Sequence, residues 1–168
     1  MTERGFARRN AFGAICKHIV FALLPLCLLT AIGVHAEGDA SQTFRAFGLE
    51  GVWSPDCGRD PSQDNPRVYW QLRDSGPITH AVTFDGKTFA LIDTVSAASR
   101  LSENRIKFSL VRHGKVVLTV TVERKGTKIH TVASVGSDGT IYYSNGVEVT
   151  TGKASMFDEH CDGAPPIS

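Results

Sequence analysis

Apolar and polar residues alternate along the middle of the chain with a period of two. Residues 115–124, with the sequence KVVLTVTVER, place four aliphatic side chains on one face, and residues 105–112 and 128–135 alternate in the same way. Successive side chains of a β-strand point to opposite faces, so this period indicates strands with one buried face. The central part of the chain is therefore predicted to be β-sheet.

Five glycine dipeptides separate the alternating segments, and Asp-Gly and Asn-Gly are strong signals for tight hairpin turns. These dipeptides are Asp85-Gly86, His113-Gly114, Lys125-Gly126, Asp138-Gly139 and Asn145-Gly146. The segments between turns predict strands at residues 51–54, 67–73, 78–84, 88–94, 104–112, 115–124, 128–135 and 140–144, with a further short strand at 147–150.

No window of comparable length has the period of an amphipathic helix. At most we expect a short helical turn at residues 95–100, VSAASR, and a flexible leader at residues 37–48. Short strands in close succession are typical of an up-and-down barrel or a two-sheet sandwich. The series of hairpins favours consecutive neighbours, so we predict an all-β domain at residues 49–168. It would form a single antiparallel barrel of about eight strands, with the sandwich as the alternative.

The first 36 residues have the pattern of a secretory signal peptide. Basic residues precede an uncharged apolar run at residues 19–32, and Val34-His35-Ala36 suits a signal peptidase. The run is shorter than the about 20 residues of a membrane-spanning helix. We predict cleavage after Ala36, no stable membrane span afterwards and a periplasmic or secreted protein, with an uncleaved N-terminal anchor as the alternative.

Removal of that segment changes both the charge and the cysteine count. The chain has 18 basic and 17 acidic residues, of which the segment carries four and one, so the mature net charge is −2. The composition does not favour nucleic-acid binding, which leaves a clustered basic face. Cys57 and Cys161 are then the remaining cysteines. In an oxidising compartment they predict one disulfide, with two free thiols as the alternative.

Gly51-Val52-Trp53 resembles the Gly-x-Trp signature of the first strand of lipocalins and avidin-like barrels. The mature chain is also similar to small secreted bacterial proteins of unassigned role. In lipocalins the tryptophan closes one end of the barrel and a disulfide often ties the tail to the wall. The resemblance implies this role for Trp53. We expect Met156 and Phe157 of the tail to cover the same end.

Two polar clusters suggest metal chemistry only weakly. Residues 56–66 are rich in oxygen ligands but lack the spacing of a calcium-binding EF-hand loop. Residues 158–162 hold carboxylates and a histidine without the spacing of a zinc site. We therefore predict a solvated loop and a charged tail, with no metal and no cofactor.

The sequence also lacks a pattern for nucleophilic catalysis. Ser137 precedes a hairpin turn, whereas the serine of a nucleophile elbow lies between a strand and a helix. His113 occupies a turn and His80 shares a strand face with apolar residues, so we expect a solvated and a partly buried histidine. The chain is predicted not to be an enzyme.

The aromatic residues are the best candidates for binding. Trp53, Trp70 and Tyr143 are predicted to contact a small ligand, although core packing is the simpler interpretation of the two tryptophans. Tyr142 and Tyr143 are adjacent, so one ring points inward and the other outward. We expect an exported, non-enzymatic binding module for a small apolar molecule, since a barrel of eight strands can hold one small ligand.

Two other functions are open. The segment SVGSDGTIYYSNG loosely resembles the Ser-Gly-x-x-Tyr segment of periplasmic lysozyme inhibitors, so a protein-interaction module that inhibits an envelope hydrolase is the alternative. An envelope structural protein without a ligand is the third. An unfilled interior near Trp53 would favour the ligand binder, whereas an inhibitor works with a packed core.

Overall fold

The structure is a computed structural model that describes residues 40–73 and 76–163. The predicted signal peptide lies outside the described residues. The described part of the chain holds one helix and ten strands: α1 (Ala40–Phe47), β1 (Gly51–Ser54), β2 (Arg67–Gln71), β3 (Ile78–Thr83), β4 (Phe89–Ser102), β5 (Arg105–Arg112), β6 (Lys115–Lys125), β7 (Lys128–Gly136), β8 (Ile141–Ser144), β9 (Val147–Glu148) and β10 (Asp158–Cys161).

Eight of these strands form a closed antiparallel barrel. Strands β1 to β7 pair in chain order, and β10 pairs with β1 on one side and with β7 on the other. The prediction of an all-β up-and-down barrel is confirmed, and the sandwich alternative is wrong. The pattern of alternation and turns located nearly every strand because both are local properties of the chain.

The closing strand β10 is not among the strands predicted from the sequence. Its four residues, DEHC, are polar except for the cysteine, so they show no apolar alternation. The predicted strands β8 and β9 exist but lie outside the closed ring. They extend the sheet from the far end of β7, where Ser134 pairs with Tyr143.

The prediction of a flexible leader is wrong for α1. Phe44 and Phe47 lie three residues apart on one helix face, and they are 0 % and 2 % exposed. The Phe44 ring lies 5.4 Å from the Trp70 ring and 5.1 Å from the Phe108 ring, measured between centroids. A helix of eight residues is marginal by itself, so its formation depends on this packing.

Local contacts around Gly48 determine where α1 ends. Gly48 has a φ of +70° and donates its N–H to the carbonyl of Phe44 at 2.8 Å, as is usual for a glycine just past a helix C-terminus. The Arg124 guanidinium lies 4.8 Å from the centre of the Phe47 ring and donates to the carbonyls of Phe47 and Gly48. Strand β6 thereby holds the helix against the barrel end.

Trp53 is also buried at this end of the barrel. It is 3 % exposed, and its Nε1 donates to the carbonyl of Leu49 at 2.9 Å. The expectation that the tail covers this end is wrong, because Met156 and Phe157 are 50 % and 38 % exposed. Helix α1 and Leu49 provide the cover instead.

The helical turn expected at residues 95–100 is also wrong. These residues belong to β4, in which Val95 pairs with Leu110 and Ala98 pairs with Phe108 of β5. The register shifts between Val95 and Ala97, and this bulge interrupts the alternation that identifies a strand. For this reason, the sequence of this segment does not show the alternating pattern of a strand.

The predicted disulfide between Cys57 and Cys161 is confirmed. The two Cα atoms are 5.4 Å apart and the cysteines are separated by 104 positions. The bridge lies on the outer face of the barrel, in a small apolar cluster with Val52, Tyr69 and Ala81. It ties the closing strand to the loop that follows β1.

We predict that Phe44→Ala lowers the free energy of unfolding by about 3–5 kcal/mol, because it leaves a hole beside Trp70 and Phe108. Phe157→Ala is the matched control, since the same ring is removed from a partly exposed position and is expected to cost about 1 kcal/mol. Urea unfolding followed by tryptophan fluorescence measures both values. Equal losses for the two variants would contradict the role assigned to α1.

Candidate ligand-binding cavity

The barrel interior contains a cavity of about 210 Å³. Trp70 and Phe108, which contact Phe44 of α1, line it at the helix end. Much of the remaining wall is aliphatic, formed by Val68, Leu110, Leu118, Val120, Val122 and Ile129. An apolar wall with a few polar groups is the usual composition of a small-molecule site.

The cavity leads toward the end of the barrel opposite α1. Strand β5 illustrates the direction, because Phe108 contacts Phe44 of the helix whereas Arg112, at the far end of the strand, lines a second hollow of about 420 Å³. The cavity and this hollow share the lining residues His80, Leu110, Leu118, Ser134 and Tyr143. Helix α1 thus closes one end, and the hollow forms a mouth at the other.

All three residues predicted to contact a ligand, Trp53, Trp70 and Tyr143, line the cavity. Trp53 offers only its apolar ring, because its Nε1 already donates to Leu49. The Trp70 ring packs against the His80 ring at a tilt of 35°, with 4.3 Å between ring centroids. Their placement meets the geometric requirement for ligand contact, and the contact itself stays a prediction.

Tyr143 points inward and Tyr142 is 45 % exposed, as their adjacency predicts. Within the described residues, the Tyr143 hydroxyl has no hydrogen-bond partner. Its pKa is raised, first by burial and then by the carboxylates of Glu148 and Asp158. The neutral phenol is therefore available as both a donor and an acceptor for a molecule in the cavity.

Asp158 supplies the carboxylate of the cavity, and sequence reasoning did not identify it as a site residue. It pairs with the core residue Ile129 in the register between β10 and β7 and lines the cavity. No cation or hydrogen-bond donor of the described chain contacts it. Burial raises the pKa of Asp158 to about 6.

The expectation of a charged tail is wrong for Asp158, which belongs to β10 and lines the cavity. His160 lies on the same face of the strand but is exposed, and its ring lies 5.1 Å from that of Trp53. Glu159 faces the exterior with Cys161 and accepts the Cys57 N–H at 3.0 Å. One signal for this arrangement follows from strand alternation: because Cys161 lies on the outer face, His160 and Asp158 lie on the opposite face of the strand.

A polar group of three residues, Asp93, Arg112 and His80, lies at the mouth. Arg112 donates to both carboxylate oxygens of Asp93, at 2.7 and 3.0 Å. The pKa of Asp93 is lowered to about 2, first by the His80 imidazole and then by Arg112, against the opposing effect of burial. His80 is 8 % exposed, and its Nδ1 has no hydrogen-bond partner, since it lies 3.7 Å from Asp93 Oδ2. The His80 side chain is thus partly buried, as predicted.

Glu123, His130 and Ser155 form a second polar chain. His130 Nδ1 lies 2.9 Å from Ser155 Oγ, and its Nε2 lies 3.2 Å from Glu123 Oε2. This order of groups resembles a hydrolase triad. However, Ser155 is 7 % exposed and lines neither hollow, and Phe157 stacks on the imidazole at 4.2 Å. The hydrogen bonds among these three side chains therefore attach the segment before β10 to the barrel wall.

The acidic loop at residues 56–66 is organised by two nitrogen-bearing side chains. Asn65 is 0 % exposed and donates its side-chain N–H groups to the carbonyls of Asp56, Arg59 and Asp60. Arg67 donates to further loop carbonyls, among them that of Cys57 at 3.0 Å. These side chains occupy the oxygen-lined centre that a cation would otherwise need.

Groups of three or more potential metal ligands are absent from the described residues. None of the helical segments described is long and apolar enough to cross a membrane. Comparison of the chain with protein-family models, curated proteins and solved structures finds no match. Its function is accordingly argued from the chemistry of the cavity.

We predict that Asp158 makes the stability of the protein depend on pH. Because the folded pKa of about 6 exceeds the reference value of 3.8, the contribution of Asp158 to stability is complete below pH 4 and is lost as the pH rises through 6. Asp158→Asn removes this loss. We therefore compare the free energy of unfolding of Asp158→Asn with that of the unmodified protein. The difference between the two should rise by about 2–3 kcal/mol from pH 4 to pH 8, in favour of the variant.

Glu159→Gln is the control, because the contribution of Glu159 to stability has the opposite pH dependence. The Cys57 amide first and Lys128 second lower the pKa of Glu159, so its stabilising contribution is present at neutral pH and lost in acid. Urea unfolding at several pH values distinguishes the two variants. Stability curves of Asp158→Asn and the unmodified protein that run parallel would contradict the assignment of Asp158.

Proposed function

We propose that this protein is an exported, non-enzymatic binding module that holds one small, largely apolar molecule inside its barrel. The observation that carries the proposal is the cavity of about 210 Å³ lined by Trp53, Trp70 and Tyr143. An engineered cavity of about 150 Å³ is large enough to bind benzene. A molecule with one ring and a short chain therefore matches the available volume.

The shape of the interior favours this function over the inhibitor. The segment that resembles the inhibitor loop forms the turn between β7 and β8, where Gly136 N–H donates to the Thr140 carbonyl at 2.8 Å. Asp138 accepts the Thr140 N–H and stabilises the same turn. Such a turn suits a rigid inhibitory loop, but that function gives no reason for a hollow core. A purely structural envelope protein gives none either.

Export is supported by two features. Residues 1–36 have the pattern of a cleaved signal, and disulfides such as Cys57–Cys161 persist in oxidising compartments. The Gly-x-Trp signature and the buried Trp53 are consistent with a lipocalin-like module. A periplasmic or secreted location follows as part of the proposal.

We predict that protein recovered from the envelope fraction of its own host begins at Glu37 and carries the disulfide. Intact mass spectrometry should give the mass of residues 37–168, less two hydrogen atoms. Retention of residues 1–36 would contradict cleavage, and the mass of the reduced chain would contradict an oxidising location.

We predict that the folded protein binds small one-ring molecules in a one-to-one complex, measured by isothermal titration calorimetry with toluene, benzyl alcohol and 2-phenylethanol. Ser134→Leu extends an aliphatic side chain from a cavity-lining position and should weaken binding at least about 10-fold by occupying the same space. Ser144→Leu makes the same change at an exposed position of β8 and should leave binding unchanged.

Absence of binding for the entire panel would overturn the proposed function. Equal weakening by Ser134→Leu and Ser144→Leu would place the binding site outside the cavity. Circular dichroism of both variants confirms that they fold before the titrations are compared.

A further inference from the structure

We propose that the molecule held in the cavity carries a positively charged amine, which lies against the carboxylate of Asp158. The inference rests on the proposed function and adds the chemical class of the ligand: a small amine with an apolar body. Three independent observations support this inference. They are the position of Asp158, the interactions that already occupy the nearby basic side chains, and the aromatic residues of the cavity wall.

The first step is the placement of Asp158. Its register partner Ile129 is 4 % exposed and belongs to the main core cluster. Both residues line the cavity, together with the aliphatic side chains of β6. A carboxylate in such surroundings loses most of its hydration, and this loss costs several kcal/mol unless a partner replaces the water.

The second step concerns the cations that could neutralise Asp158. Arg112 makes two hydrogen bonds to Asp93, and the same carboxylate faces His80. Lys128, which precedes the partner of Asp158 on β7, pairs with Glu159 at 3.3 Å on the outer face.

His130 also lines the cavity, but its two ring nitrogens contact Ser155 and Glu123. Each of these basic side chains thus contacts another group. Within the described residues, Asp158 has neither an ion-pair partner nor a hydrogen-bond donor. The raised pKa of about 6 still leaves it largely ionised at neutral pH, so the apo cavity contains an unpaired negative charge.

The third step concerns the remaining groups around that charge. Trp53, Trp70, Phe108 and Tyr143 line the same cavity, and aromatic faces attract cations. An ammonium group has three N–H donors and no acceptor. Asp158 can accept one or two of these bonds, and unbonded oxygens of lining residues can accept the others.

These oxygens belong to Thr131, Ser134 and Tyr143, whose hydroxyl groups have no hydrogen-bond partner among the described residues. The cavity therefore combines one anion, several neutral acceptors and aromatic faces. A ligand carboxylate would instead be repelled by Asp158, and a neutral alcohol would leave its charge unpaired.

The test compares three molecules with the same ring and a similar chain length: 2-phenylethylamine, 2-phenylethanol and phenylacetate. Calorimetric titration at neutral pH should give an affinity for the amine at least about 10-fold higher than for the alcohol, and the weakest binding for the carboxylate. An amine that binds no more tightly than the alcohol would overturn the inference and leave the proposed function intact. Failure of all three, and of the neutral panel above, would overturn the proposed function itself.

Two variants locate the effect. Asp158→Asn keeps the size of the side chain and removes the charge, so the about 10-fold preference for the amine over the alcohol should be lost. Glu159→Gln removes a charge from the next residue, which faces outward and pairs with Lys128, and should leave the preference unchanged. An equal loss of amine affinity in both variants would show that the amine responds to net charge rather than to Asp158.

Discussion

Closure of the barrel by β10 is the constraint on which the rest of the structure depends. This strand of four residues pairs with β1 on one side and with the start of β7 on the other, so neither edge of the sheet is left unpaired there. The disulfide between Cys57 and Cys161 holds the strand in place across 104 positions of the chain. A cross-link that closes a loop of about 100 residues stabilises the fold by about 4.7 kcal/mol in the chain-entropy model.

The same strand builds the site, because its alternate residues face opposite sides. Glu159 and Cys161 attach it to the outer wall, Asp158 lines the cavity, and His160 packs against the Trp53 ring. Gly51 makes this approach possible: its φ is +120°, and a side chain at this position would collide with the His160 imidazole. Strand closure and cavity chemistry are therefore two consequences of one pairing.

The partners of the acidic side chains distinguish Asp158 from the other acids of the barrel. Asp93 is neutralised by Arg112, and Glu123 is held by His130 and Arg105, so these acids stabilise the wall. The carboxylate of Asp158 has no such partner within the described residues and lines the cavity. A partly buried carboxylate without a partner destabilises a folded protein, and a ligand that supplied the partner would offset this cost.

The sequence alone determined the features that depend on neighbouring residues. Period-two alternation and glycine turns locate the strands from β1 to β9, the two cysteines outside the predicted signal peptide indicate the disulfide, and alternation directs one of Tyr142 and Tyr143 inward. Only the tertiary structure decided the rest. Helix α1 forms because the core buries Phe44, and β10 forms because β1 and β7 offer it two edges. The isolation of Asp158 depends on where distant cations are committed, and no local pattern encodes contacts between residues so far apart in the chain.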